Sequence, residues 1–128
     1  MIDHVSMPVR DLARSAGFYG SLLQPLGYAL LVERTSTVGF GKRYPELWLN
    51  SRPGMPANPA NVGAHVALRA IGEDAVRAFH AAALANGGQS DGEPGPRQAA
   101  MTTYYGAFIL DPDGNKIEAV AFAPSAKA

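Results

Sequence analysis

The 128-residue chain contains no cysteine. Disulfides and thiolate metal ligands are thereby excluded, and any metal site must draw on histidine and carboxylates. Histidine is itself scarce: only His4, His65 and His80 are present. The chain also lacks net charge, with eleven basic and eleven acidic residues and a pI near 6.8. The basic surface that binds nucleic acid or anionic membrane is therefore not expected. No apolar run approaches the roughly 20 residues of a membrane span, and nothing at the N-terminus has the pattern of a signal peptide. These absences predict a soluble cytoplasmic protein that binds neither nucleic acid nor membrane. What is abundant is apolar residue, 47% of the chain, which is enough to build a core within a single domain over residues 1–128.

Periodicity divides that domain into two similar patterns. Ile2 to Val9 alternates as a strand. Asp11 then sits where an N-cap is expected, and Leu12, Ala16, Phe18, Tyr19, Leu22 and Leu23 recur at helical spacing until Pro25. Three strand-like runs follow, "YALLVER" (28–34), "TVGFGK" (37–42) and "PELWLN" (45–50). The segment 51–63 is rich in Pro, Gly and Asn and reads as a connecting loop. The pattern restarts with the strand "GAHVALRA" (63–70) and an Ala-rich helix closed by Asn86-Gly87-Gly88. Residues 89–101, "QSDGEPGPRQAAM", read as irregular with at most a short strand. "TTYYGAFIL" and "NKIEAVAF" form a hairpin around Asp111-Pro112-Asp113-Gly114-Asn115, a turn by its Pro, Asx and Gly content. The expected fold is α+β, strand–helix–three strands repeated twice. One module covers about residues 1–51 and the other about 62–123. Neither buries enough surface to stand alone.

Strands send alternate side chains to opposite faces. His4 shares a face with Ile2 and Ser6, and His65 shares one with Gly63, Ala67 and Arg69. Glu118 lies with Lys116, Val120 and Phe122, while Glu46 lies with Trp48 and Asn50. Each module therefore opens on a strand carrying His and closes on a strand carrying Glu, each opposite an apolar face that suits a helix. If the sheets curve, two imidazoles and one or two carboxylates converge. That mixed N/O set suits Zn, Ni, Fe(II), Mn or Co and leaves coordination positions open. Taken singly, each residue has a plainer reading: a hydrogen-bonded His, or a polar side chain on a half-solvated sheet. His80, with Val76 and Leu84 as its neighbours one turn away, reads as structural.

The segment "IDHVSMPVRDLARSAGFYGSLLQPLGY" resembles the opening of the vicinal oxygen chelate superfamily, the glyoxalase/bleomycin resistance protein/dioxygenase family. "GAHVALRA" is similar to its second His strand, and "FILDPDGNKIEAV" to its closing hairpin. The resemblance implies two βαβββ modules forming a cupped mixed sheet with helices on the outer face, usually in a homodimer. It implies a divalent metal held by His4, His65 and Glu118, with Glu46 as a fourth ligand or a base. Trp48, Tyr104 and Tyr105 are candidate substrate contacts; hairpin register decides which tyrosine faces the cup. Whether the site lies within one chain or is shared across a dimer is left open. No basic cluster assignable to glutathione is found, and dioxygenases of this family generally carry more modules. The implied function is a metal-dependent enzyme acting on a small oxygenated substrate. Lyase or isomerase chemistry through a metal-stabilised enolate or oxyanion is favoured over dioxygenase chemistry, with Glu118 or Glu46 moving a proton. The alternatives are a non-catalytic protein that sequesters a drug-like or aromatic molecule, as bleomycin-resistance proteins do, and a structural module with an empty cup.

Overall fold

A computed structural model describes residues 1–59 and 62–123. The first module runs β1 (Val5–Val9), α1 (Leu12–Leu23), β2 (Ala29–Glu33), β3 (Thr37–Gly41) and β4 (Pro45–Ser51). The second repeats it with β5 (Val66–Arg69), α2 (Glu73–Ala85), β6 (Gln89–Gln98), β7 (Thr103–Leu110) and β8 (Lys116–Ala121). Each module is one four-stranded mixed sheet. The orders are β1-β4-β3-β2 and β5-β8-β7-β6, with the first strand of each parallel to the last. That parallel pairing requires a crossover, which α1 and α2 supply.

Local chemistry sets the element ends. Asp11 caps α1 by accepting from the Arg14 backbone N–H at 3.1 Å. Pro25 converts the end of α1 into a 3₁₀ turn, Gln24–Leu26, and Gly27 reverses the chain at φ 85°. The helices cover one face of each sheet. Phe18, Tyr19, Leu22 and Leu23 of α1 are buried over Met7, Val9, Leu47 and Leu49. Val76, Phe79 and Ala83 of α2 are buried over Ala107, Ile109, Ile117 and Ala119. The helices also touch each other, so both modules share one continuous core. Gly88 lies so close to Phe18 that an added Cβ would sit 2.8 Å from its ring.

Two segments depart from the sequence expectation. Residues 89–98 form a full ten-residue strand rather than an irregular segment. As the edge strand, β6 tolerates Pro94 and Pro96, and register shifts at Ser90/Gly92 and Gly92/Gly95 absorb the misfit. His80, buried on α2, anchors it through Ser90 Oγ at 2.8 Å. The two histidine strands are shorter than their alternation implies. The ladders start at Val5 and Val66, so His4 and His65 each lie one residue before their strand.

Sequence patterning hid what joins the modules. The 111–115 turn closes the β7–β8 hairpin through Asp111 Oδ1, which accepts from the backbone N–H of Asp113 and Asn115. The same turn reaches back to the first module. Asp111 Oδ2 accepts from Tyr19 Oη at 2.6 Å, Asp113 pairs with Arg10 Nε at 2.7 Å, and Asn115 Nδ2 donates to the Pro8 carbonyl. Burial pushes the Tyr19 hydroxyl well above the usual tyrosine range, and the Asp111 charge adds to it.

Candidate metal and substrate site

The helix-free faces of the two sheets carry the polar residues. In the second module Glu118 is only 3% exposed, although it points away from α2. Three neighbours cover it. Phe108 lies beside it in the β7–β8 register, the Tyr104 hydroxyl donates to its Oε2 at 2.6 Å, and His65 Nε2 stands 3.3 Å from its Oε1. The bond to Glu118, then burial, raises the Tyr104 hydroxyl above the ordinary tyrosine value.

His65 Nδ1 lies 3.2 Å from the Gly63 carbonyl. A carbonyl oxygen only accepts, so Nδ1 carries the hydrogen. In the neutral imidazole, Nε2 then aims a lone pair at a carboxylate oxygen. Two acceptors converging at this distance call for a positive species, either a proton on the ring or a cation bound by both. His4 is prepared in the same way, with Nδ1 bound to Asp3 Oδ1 at 2.8 Å and Nε2 left available. Metal-binding histidines commonly hold their second nitrogen in such a bond. The His4 bond keeps the Asp3 carboxyl below the usual aspartate range.

In the first module, strand register brings Glu46 alongside His4. β1 and β4 run parallel with Val5 beside Leu47 and Ser6 beside Trp48, so one step earlier His4 falls beside Glu46. Glu46 is half-buried, and its Oε1 accepts weakly from the Lys42 N–H at 3.4 Å. Trp48 and Asn50 continue that face, and a shallow depression there is lined by His4, Ser6, Arg34 and Trp48.

The His4–Glu46 and His65–Glu118 pairs do not meet. Among the described residues, no three His, Asp or Glu side chains lie close enough together to hold one metal ion. Within one chain each His–Glu pair stands apart from the other. A cleft of about 590 Å³ lined by Asn58, Pro59, Gly63, Asp111, Gly114 and Lys116 contains none of these four residues.

Register settles the tyrosines. Tyr104 lies on the open face over Gly106, where a Cβ would come within 2.8 Å of its ring. Tyr105 points to the helix side, packs against the core and accepts from Arg77 Nη1 at 3.0 Å. Sequence reasoning missed Arg97. Its guanidinium lies over the open face beside Phe108, and the only prior signal was the unusual glycine content of β6.

The family profile described as the Glyoxalase/Bleomycin resistance protein/Dioxygenase superfamily matches residues 1–119. The chain belongs to this superfamily. A crystal structure of a glyoxalase/bleomycin resistance protein from Albidiferax ferrireducens T118 superposes with a TM-score of 0.81. It shares 37% identity over 94% of this chain and 98% of its own. A glyoxalase I mutant from Zea mays gives a TM-score of 0.71 and 27% identity over 92% of this chain, which spans 44% of the maize protein. The fosfomycin resistance protein FosX from Listeria monocytogenes shares the fold, with a TM-score of 0.67 at 14% identity over 100% of this chain and 98% of its own. Among curated proteins, none matches significantly. In this superfamily's terms the chain is two βαβββ modules with helices outside and polar open faces. No helix among the described residues is long and apolar enough to cross a membrane.

Proposed function

We propose that the chain is a cytoplasmic, metal-dependent lyase or isomerase of the glyoxalase type, acting on a small oxygenated substrate as a homodimer. In this reading His4 and Glu46 of one protomer meet His65 and Glu118 of its partner. The observation that carries it is the His65–Glu118 pair: a buried carboxylate and an imidazole lone pair converge on one point, with the imidazole's other nitrogen already bound. The parallel preparation of His4 and the separation of the two pairs within one chain support a shared site.

A divalent ion bound there, Zn, Ni, Fe(II), Mn or Co, supplies Lewis-acid polarisation of a substrate carbonyl or hydroxyl oxygen. The chain's residues do the rest. Phe108 and Tyr104 exclude water around Glu118. Glu46 is the more accessible carboxylate and is the favoured proton carrier, while Glu118 serves as ligand or second base. Trp48 and Tyr104 flank the substrate space.

The test is metal content of protein purified without chelator, followed by add-back to stripped protein. About one ion per chain is expected, lost in His4→Ala and in Glu118→Gln, with a dimer by light scattering. Full retention of metal in both variants would sink the site assignment. No uptake of any of the five metals would favour the aromatic-binding alternative, which the Tyr104–Phe122 pair, 5.5 Å between ring centroids, also fits.

A further inference from the structure

Arg97 sits on edge strand β6 opposite Tyr104. Its side chain does not extend into solvent. It folds back along its own strand over Gly95 and Gly92, where added Cβ atoms would stand 3.3 Å from Nη1 and 3.2 Å from Nη2. Nη2 donates to the Glu93 carbonyl at 2.6 Å, which fixes the fold-back. The guanidinium carbon comes to 5.9 Å from the Phe108 ring centroid. Phe108 is the same ring that meets the His65 imidazole edge-on at 5.3 Å and lies beside Glu118.

Three features make this more than a solvated surface arginine. The residue is half-buried, yet among the described residues no carboxylate pairs with it. Its channel exists because two residues of β6 lack side chains. Its guanidinium is held rather than mobile, so little side-chain entropy remains to be lost when an anion binds. The charge is also felt at the site, where it opposes the rise in the Tyr104 hydroxyl.

We infer that the open face of the second module selects substrates bearing a carboxylate next to the oxygens that reach the His65–Glu118 pair, and that Arg97 is the residue that binds this carboxylate. Nη1 also donates to the Pro96 carbonyl at 3.3 Å, so two of the five N–H groups are spent on backbone and three remain, enough for a planar guanidinium to meet a carboxylate in two parallel hydrogen bonds. The substrate class is thereby narrowed to 2-hydroxy and 2-oxo acids and their close relatives. Phe108 and the Tyr104–Phe122 pair supply apolar walls for an aromatic or branched substituent. The inference deepens the proposed function and rests on that site, but the anion contact itself does not require a metal.

The experiment compares mandelate with mandelamide, which share vicinal oxygens and a phenyl ring and differ in charge. Binding is measured by calorimetry and by the ¹⁵N shift of the Arg97 side chain, in stripped protein and in protein supplied with Zn. Wild type is expected to prefer mandelate by about tenfold, the range of one charge-assisted hydrogen-bonded pair. Arg97→Gln should bring the ratio near one. Gly95→Ala keeps the charge but obstructs its channel and should lower the ratio as well. Arg14→Gln, an equal charge change on exposed α1, should leave it intact. Zinc affinity should be unaltered in Arg97→Gln. Equal binding of both compounds by wild type, or binding of neither, overturns the inference, and so does loss of zinc together with the preference in Arg97→Gln. A preserved mandelate preference in a protein that takes up no metal would leave the inference standing and refute the metal-dependent function instead.

Discussion

Tyr104 donates its hydroxyl hydrogen to Glu118 across the β7–β8 pair at 2.6 Å, on the face where no helix lies. The bond occupies one oxygen of a carboxylate whose other oxygen faces His65. Tyr104→Phe removes it and leaves Glu118 covered but short of a donor. A loss of about 1 kcal/mol in stability is expected. The folded-state pKa of Tyr104 is raised, so its contribution is present below the ordinary tyrosine value of 10.0 and is lost as pH rises through the folded value. Alkaline ultraviolet titration should show one fewer late-ionising phenolate in the variant, and denaturant unfolding gives the stability change.

Gly106→Ala probes the same pair from below. The new methyl group would meet the Tyr104 ring at 2.8 Å, the Ala119 carbonyl at 3.2 Å and Glu118 Oε2 at 3.3 Å. Overpacking of this kind costs about 1–3 kcal/mol. Tyr104 is expected to be displaced outward, with weaker metal retention and an intact far-UV spectrum. Unchanged metal affinity would show that Tyr104 does not orient Glu118.

Arg10→Ala isolates the join between modules. Asp113 is fully buried, and Arg10 is its charged partner. Removing the guanidinium strands a buried carboxylate, a change that costs about 3–5 kcal/mol. Unfolding should remain a single transition at lower denaturant, because the helices still share one core.

Asp111 gives a pH signature of opposite sense to most carboxylates. Burial raises its pKa above the usual 3.8, against the pull of its bonds to Tyr19, Asn115 and Asp113. The folded chain therefore takes up this proton before the unfolded chain does. The group's contribution to stability is full below 3.8 and declines as pH rises through its folded value. Asp111→Asn removes that resistance to acid, so stability should fall more steeply on acidification between mid-acid pH and 3.8. A parallel pH profile for the two proteins would contradict the raised value.

Much of the fold is legible because its signals are local. Asp11 caps the helix it precedes, Pro25 ends it, and the 111–115 turn contains its own hydrogen-bond partners. Glu118 is noticeable for a similar reason, since a carboxylate inside an alternating strand has no packing role to explain it. The features that escape the sequence depend on partners far along the chain. Asp111 and Asp113 serve the turn, and nothing near them indicates that they also bind Tyr19 and Arg10, 92 and 103 residues earlier. Residues 89–98 carry every sign of a breaker and become a strand because β7 offers a ladder and the outer edge needs no donors. Tyr104 and Tyr105 have the same side chain, and only register distinguishes them. The separation of the His4–Glu46 and His65–Glu118 pairs is likewise a matter of how whole sheets are placed, which periodicity does not encode.

Strands β1, β4, β7 and β8 commit one side to a helix, and their other side carries the polar and ring side chains of the open face. Val9, Leu49, Ile109 and Ile117 hold the structure together from the committed side. Ser6, Trp48, Ala67 and Arg97 lie elsewhere and bear little of that burden. Exposed open-face positions such as Ser6 and Ala67 can therefore vary at small risk to folding, so that descendants of one such chain can change what they bind while remaining superimposable.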